Sequence, residues 1–177
     1  MKAQTHKVPW GNPHEWQDVL AFFRTVDRVH AKDLAAIRDT GSAILDLYRD
    51  LSQPMEALCL AACPGCLDIC CERATIWYDF KDLIYLYFTL GNLPASQIDK
   101  TRAGHGRSAC RHLTRTGCSL PRSQRPFVCT WYICSPQKQI IYSSAGQRRQ
   151  TIFRKLEAIK GLRNRMEEDL CRFTAGG

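Results

Sequence analysis

No run of apolar residues in this sequence is long enough to cross a bilayer. The richest, LIYLYFTLG at residues 83–91, is about half of the ~20 residues that a spanning helix needs. The opening MKAQTHKVPWGNPHEW lacks the apolar core of a secretory signal. A cytoplasmic protein with no membrane partner is therefore expected, in a compartment where thiols stay reduced. Internal repeats and low-complexity linkers are missing, which excludes solenoids, and so is a glycine-rich loop to cradle phosphate. No Ser/His/Asp grouping stands out, and Asp79 and Asp82 are spaced like a helix cap, not like an acid/base pair. No catalytic residue can be named from these features.

Acidic residues are scarce in one half only. Residues 1–99 carry 9 Lys/Arg against 13 Asp/Glu, a balance of −4, whereas residues 100–177 carry 16 against 4, a balance of +12. A solvated basic face, together with compensation for anionic thiolates, accounts for this without a special partner. An anionic partner such as nucleic acid, or an acidic protein surface, is the sharper reading. The absence of a basic-plus-aromatic recognition motif disfavours nucleic acid, and a protein partner is expected instead.

What the sequence has in excess is cysteine, ten in 177 residues. In a reduced compartment such a count points to metal ligands or redox groups, not disulfides. The first cluster, CPGCLDICC at residues 63–71, supplies Cys63, Cys66, Cys70 and Cys71, with Cys59 one helical turn upstream. A Cys-x2-Cys turn lets two sulfurs converge on one ion, and Pro64-Gly65 suits that tight geometry. Cys70 and Cys71 are adjacent and point different ways, so they can serve two sites, or one can be a ligand and the other a packed thiol. The second cluster, CRHLTRTGCSLPRSQRPFVCTWYIC, supplies Cys110, Cys118, Cys129 and Cys134. It lies in a turn-rich stretch with little apolar glue, where coordination can fix the backbone: a structural zinc contributes on the order of 10–16 kcal/mol in small peptides. Eight cysteines in two groups of four can form two tetrahedral sites or one site of mixed origin. His105 and His112 flank Cys110 and can substitute as ligands. Cys171 reads as a small buried side chain, Cys59 as either that or part of the cluster, and His30 as a packed or capping histidine. Arg125 can pair with a cluster thiolate or with a carboxylate.

These motifs resemble those of the YkgJ-like cysteine-cluster family, described as a zinc- or iron-chelating domain. The positions that carry the resemblance are Cys63, Cys66, Cys70, Cys71, Cys110, Gly117-Cys118 and Arg125-Pro126-Phe127-Val128-Cys129, with Cys134 where members often have another cysteine. The resemblance covers about residues 59–135. A similar cluster occurs in bacterial flagellin lysine-methylating proteins, which are linked to iron–sulfur chemistry. The resemblance thus implies a metal-binding protein. Thiolate sets suit an iron–sulfur cluster, [4Fe–4S] above all, and zinc as the alternative. Its role would be structural, electron-transferring or partner-assisting. A zinc domain with a structural role or nucleic-acid contact is one alternative, and a cluster-dependent enzyme, methyltransferase-related or oxidoreductase, is another.

Two rival motifs fit less of the chain. Cys59-x3-Cys63-x2-Cys66 has radical S-adenosylmethionine spacing, but a helical stretch precedes it where that class needs a strand. Cys63-Pro64-Gly65-Cys66 has thioredoxin-like spacing, but no βαβ pattern surrounds it.

The apolar periodicity predicts a mainly α fold, with N- and C-terminal helices packed around a loop-rich, cysteine-liganded module and at most short strands. Asn12-Pro13-His14-Glu15 opens a helix, and Trp16, Val19, Leu20, Phe23, Val26, then Leu34, Ile37, Ile44, Tyr48 and Leu51 keep helical spacing. Asp39-Thr40-Gly41-Ser42 is the expected break or bend, and Pro54 the expected end. Residues 73–78 read as a strand, residues 79–90 as a capped helix closed by Gly91-Asn92, and residues 95–102 as a short helix. The clearest helix spans residues 146–173, with Ile152, Phe153, Leu156, Ile159, Met166, Leu170 and Phe173 as its stripe, to be buried against the N-terminal stripe. One domain is expected over residues 1–177: helices in 1–58, the cysteine module in 59–135 and a basic helical segment in 136–177.

Overall fold

The computed structural model describes residues 8–9, 13–64, 66–67, 69–73, 77–91, 93, 110, 112–115, 117–144 and 146–175. Helix α1 (Pro13–Val29) starts at the proline, whose fixed φ and missing N–H suit a first helical position. A turn at residues 30–34 follows, closed by the Asp33 N–H donating to the His30 carbonyl (2.9 Å). Helix α2 (Ala35–Ala62) then runs for 28 residues. The two N-terminal helices are therefore present, but the break lies at residues 30–34 and not at 39–42, and α2 continues through Pro54.

Both corrections have a packing cause. Gly41 is buried where α2 meets the later helix α4 (Phe80–Leu90), and an added Cβ would sit 1.8 Å from Thr89 Oγ1. The glycine permits a close crossing; it does not end a helix. Pro54 costs the helix one hydrogen bond, yet Met55 and Leu58 beyond it are buried in the common core and hold the last turns in place.

The buried positions of α2 are Ile37, Gly41, Ile44, Tyr48, Leu51, Met55 and Leu58, alternating steps of four and three. Helix α7 (Gly146–Ala175) buries Ile152, Leu156, Ile159, Arg163, Met166 and Leu170 with the same alternation. Such a repeat is the seam of two helices packed knobs-into-holes. The two pack more extensively on each other than any other pair of described elements, as expected of the terminal stripes. Two details differ: Phe153 is exposed, and Arg163 occupies a seam position.

Helix α4 lies across this pair. Its start is a capping box, in which Asp79 accepts from the Asp82 N–H (2.8 Å) and Asp82 accepts from the Asp79 N–H (3.1 Å). Gly91 ends it with φ 68°, a left-handed conformation that favours glycine. On its apolar side Phe80 and Phe88 meet Phe23 of α1 at ring distances of 5.7 and 5.3 Å.

Short elements carry the rest. Strand β1 (Val8–Pro9) pairs antiparallel with β2 (Trp77–Tyr78), and β3 (Leu113–Thr114) pairs with β4 (Gly117–Cys118). Of the strand expected over 73–78, Arg73 instead ends the four-residue helix α3 (Cys70–Arg73), β2 is strand, and residues 74–76 lie outside the described residues. Helices α5 (Val128–Trp131) and α6 (Ser135–Ser143) close the cysteine segment. The chain is mainly helical with short strands. The helix expected at 95–102, and His105, lie outside the described residues.

Candidate metal centre

The last turns of α2 deliver the first thiols. Cys59 and Cys63 are one turn apart, joined by the Cys63 N–H donating to the Cys59 carbonyl (2.8 Å), and Cys66 follows in a turn whose N–H donates to Cys63 (3.1 Å). Cys70 and Cys71 open α3. The second stretch joins through the backbone: the Cys110 N–H donates to the Cys71 carbonyl (2.8 Å), and the Leu113 N–H to Cys110 (2.9 Å). The hairpin then sets Cys118 opposite Leu113, with Gly117 at φ 123° making the turn that only glycine adopts readily. Cys129 lies in α5, and Cys134 is the N-cap of α6, where its sulfur accepts the Gln137 N–H.

All ten cysteines are half-buried, and none is joined in a disulfide. The electrostatics shows which of them are neighbours. Burial, then the sulfurs of Cys59, Cys70 and Cys134, push Cys63 up to about 11. A hydrogen bond that the Cys71 thiol donates to Cys70, then burial, then the charges of Cys70, Cys129 and Cys110 push Cys71 far above the thiol range. Burial, then Cys110 and Cys118, push Cys129 up to about 12, against the pull of the Arg125 guanidinium. The buried Tyr78 is raised by burial and Asp82 first, then by Cys129, Cys118 and Cys110. The strongest thiol influences on Cys63 are thus Cys59, Cys70 and Cys134, those on Cys71 are Cys70, Cys129 and Cys110, and those on Cys129 are Cys110 and Cys118. Of the eight cysteines that the motifs single out, seven take part in these influences. Cys66 is not among the strongest influences on Cys63, and Cys59 takes its place.

Among the described residues no three His, Cys, Asp or Glu side chains already meet as a closed ion site. The Cys63 side chain instead hydrogen-bonds that of Cys59, and the Cys71 side chain that of Cys70.

Positive charge surrounds these sulfurs. Arg122, 3% exposed, and the buried Arg125 both donate to a single oxygen, Glu56 Oε1 (2.8 and 2.9 Å). Arg122 Nη2 also approaches Cys59 Sγ (4.0 Å), its Nη1 reaches the Cys129 carbonyl (3.5 Å), and its Nε is buried with no hydrogen-bond partner. Arg125 Nε donates to the Leu120 carbonyl (2.9 Å). Of the two roles open to Arg125, the structure has the carboxylate pairing. Gln137 is buried and bonds to two of these cysteines: its Nε2 donates to Cys59 Sγ (3.5 Å) and its Oε1 accepts from the Cys134 N–H (3.3 Å). Among the described residues, two guanidiniums against one carboxylate leave one positive charge in excess beside the thiols. Anionic sulfur fits that charge, so the donor set and its surroundings suit a thiolate-held ion or cluster.

A second buried pair ties the cysteine segment to the helices. Arg163 Nη2 donates to Asp82 Oδ1 (2.8 Å), the same oxygen accepts the Phe127 N–H (3.0 Å), and the guanidinium lies 4.3 Å over the Phe127 ring. Phe127 belongs to the Arg-Pro-x-x-Cys stretch two residues before Cys129. The remaining candidates lie elsewhere: the His112 ring meets the Ser119 hydroxyl (3.2 Å), His30 meets Asp33 (3.6 Å), and Cys171 lies half-buried near the end of α7. Arg122, Gln137 and Arg163 are the residues that motif spacing did not pick out. Cys59 had a signal in its position one turn before Cys63, and Asp82 had one only as a helix cap.

Against family models, curated proteins and solved structures the chain has no match.

Proposed function

We propose that this chain is a metal-binding cysteine-cluster protein of the YkgJ-like kind, whose thiolates hold an iron–sulfur centre, [4Fe–4S] in the first instance. One observation carries the reading. Beside Cys59 the buried Arg122 and Arg125 share one carboxylate oxygen, and Arg122 Nε has no acceptor. Two buried guanidiniums that share one carboxylate leave an excess positive charge, and buried charge short of counter-charge is costly, by several kcal/mol in order of magnitude. Neutral thiols cannot balance it; thiolates joined to a metal can. The N–H donors on Cys59 and Cys134 are of the kind that tunes thiolate–iron clusters. When bound, such a centre supplies one-electron chemistry or fixes the surrounding segment. The chain's own part is to gather the sulfurs, neutralise their charge and exclude water around Cys129.

Zinc is the second reading, favoured by the thiols of Cys110 and Cys118, which act on Cys129, and by Cys110 and Cys129, which act on Cys71, a supply of sulfur from α3, the β3–β4 segment and α5. The test is anaerobic purification of the full chain with assay of iron, acid-labile sulfide and zinc. Broad visible absorbance with iron and sulfide in equal amounts is expected. A colourless protein with stoichiometric zinc moves the assignment to zinc, and metal-free protein with oxidised thiol pairs ends both readings.

A further inference from the structure

No continuous basic-plus-aromatic motif runs along the chain, yet two helices build one side by side. Lys138 and Tyr142 of α6 are four residues apart, as are Arg149 and Phe153 of α7, and residues so spaced share a helix face. The Arg149 guanidinium lies 5.3 Å over the Tyr142 ring and joins the two pairs. The resulting row is Lys138, Tyr142, Arg149, Phe153: cation, ring, cation, ring. Tyr142 is 60% exposed and Phe153 37%, and among the described residues they are the only large apolar side chains left open on α6 and α7. Glu157, the next step along that face of α7, is acidic and pairs with Lys160 (3.6 Å), so the row ends at Phe153.

Charge here is unbalanced. Residues 135–160 carry six Lys/Arg against one acid, Glu157. Lys155, two residues from Phe153 and hence on the far flank of α7, pairs with Asp50, and Lys160 pairs with Glu157. That leaves Lys138, Arg148, Arg149 and Arg154 with no carboxylate partner among the described residues. We propose that this α6–α7 face binds single-stranded nucleic acid, with bases stacked on Tyr142 and Phe153 and phosphates held by Lys138 and Arg149. Alternating cations and flat rings match a strand whose charged backbone and π-faced bases run together. A protein interface instead needs a buried apolar core, which two rings set among cations do not supply. No cysteine belongs to the row, so this surface and the metal-binding reading stand or fall separately.

The test follows the fluorescence anisotropy of a labelled oligothymidine as full-length protein is added, at several salt concentrations. Binding is expected to weaken as salt rises. Tyr142→Ala should weaken it about 5- to 150-fold, the range for loss of one base–aromatic stack, while Tyr142→Phe, which keeps the ring, should not. Lys138→Gln and Arg149→Gln should each weaken it and lower the salt slope by about 0.7. Arg165→Gln removes an exposed cation further along α7, roughly 24 Å from Arg149, and should leave binding unchanged. Circular dichroism of each variant checks that helix content is retained. Equal losses from Arg149→Gln and Arg165→Gln would reduce the binding to net charge and overturn the proposal. Absence of binding at low salt would overturn it too. So would tighter binding of polyglutamate than of oligothymidine, unaffected by Tyr142→Ala, which would assign the face to an acidic protein.

Discussion

Asp82 shows how much one side chain can decide. Burial pushes its carboxyl up to about 7, against the Arg163 guanidinium and the N–H groups of Asp79 and Phe127; the carboxyl of Asp79 adds to the rise. The folded state therefore holds this proton more tightly than the unfolded chain. The stability so gained is whole below the ordinary value of 3.8 and is lost as pH rises through about 7. Compared with Asp82→Asn, the native protein should lose urea resistance across that window; parallel curves for the two would show that Asp82 carries no proton there. Arg163→Met should cost about 3–5 kcal/mol above neutral pH, the usual penalty for breaking a buried pair, and less in acid, where Asp82 is neutral. Gln137 is the other decisive side chain, since its amide donates to Cys59 while its backbone N–H serves Cys134. Gln137→Leu should weaken metal retention by roughly 10–100-fold, the range for lost partners of metal ligands, as read by chelator competition. Unchanged retention would make Gln137 a helix cap alone.

The helices were largely legible, and the places where they were misread are physical. Ile44, Tyr48 and Leu51 on α2, and Ile152, Leu156 and Ile159 on α7, announce buried faces through periodicity alone, because burial along a helix is periodic. Asp79 and Gly91 mark the ends of α4 because caps act over three or four residues. Gly41 misled because its meaning depends on Thr89, which only the folded chain brings near. Gly41→Ala should gain up to about 1 kcal/mol of helix propensity yet lose about 1–3 kcal/mol to overpacking, a net destabilisation. Thr89→Ala in the same chain should recover part of the loss, by chemical denaturation. Net stabilisation by Gly41→Ala alone would mean that α2 and α4 can move apart freely. The candidate site was legible in its residue types but not in the contacts around them. Spacing favoured Cys66 over Cys59, whereas the fold brings Gln137 on α6 to donate to the Cys59 sulfur. Arg122 gave no signal, because a buried charge is identified by its surroundings and not by its neighbours in sequence.

At the scale of the molecule, two kinds of cohesion meet. Helices α1, α2, α4, α6 and α7 share one apolar core, from Phe23 and Ile37 to Met166 and Leu170. The stretch over residues 110–134 adds Phe127 and Ile133 to that core, with Leu120 packed against it, and is further held by polar contacts: the Asp82–Arg163 pair and the Glu56 link to Arg122 and Arg125. Apolar burial is unaffected by loss of an ion, whereas a segment whose sulfurs are drawn together by one loses its fastening. Metal removal should therefore act on part of the protein. Amide exchange should quicken across residues 63–73 and 110–134, while the α2–α7 seam from Ile37 to Met55 and from Ile152 to Leu170 stays protected. Peptide-resolved hydrogen exchange on native and chelated protein measures this directly. Protection lost evenly over both regions would mean that the metal organises the whole core, and protection unchanged in both would mean that the apolar contacts of Phe127 and Ile133 suffice without it.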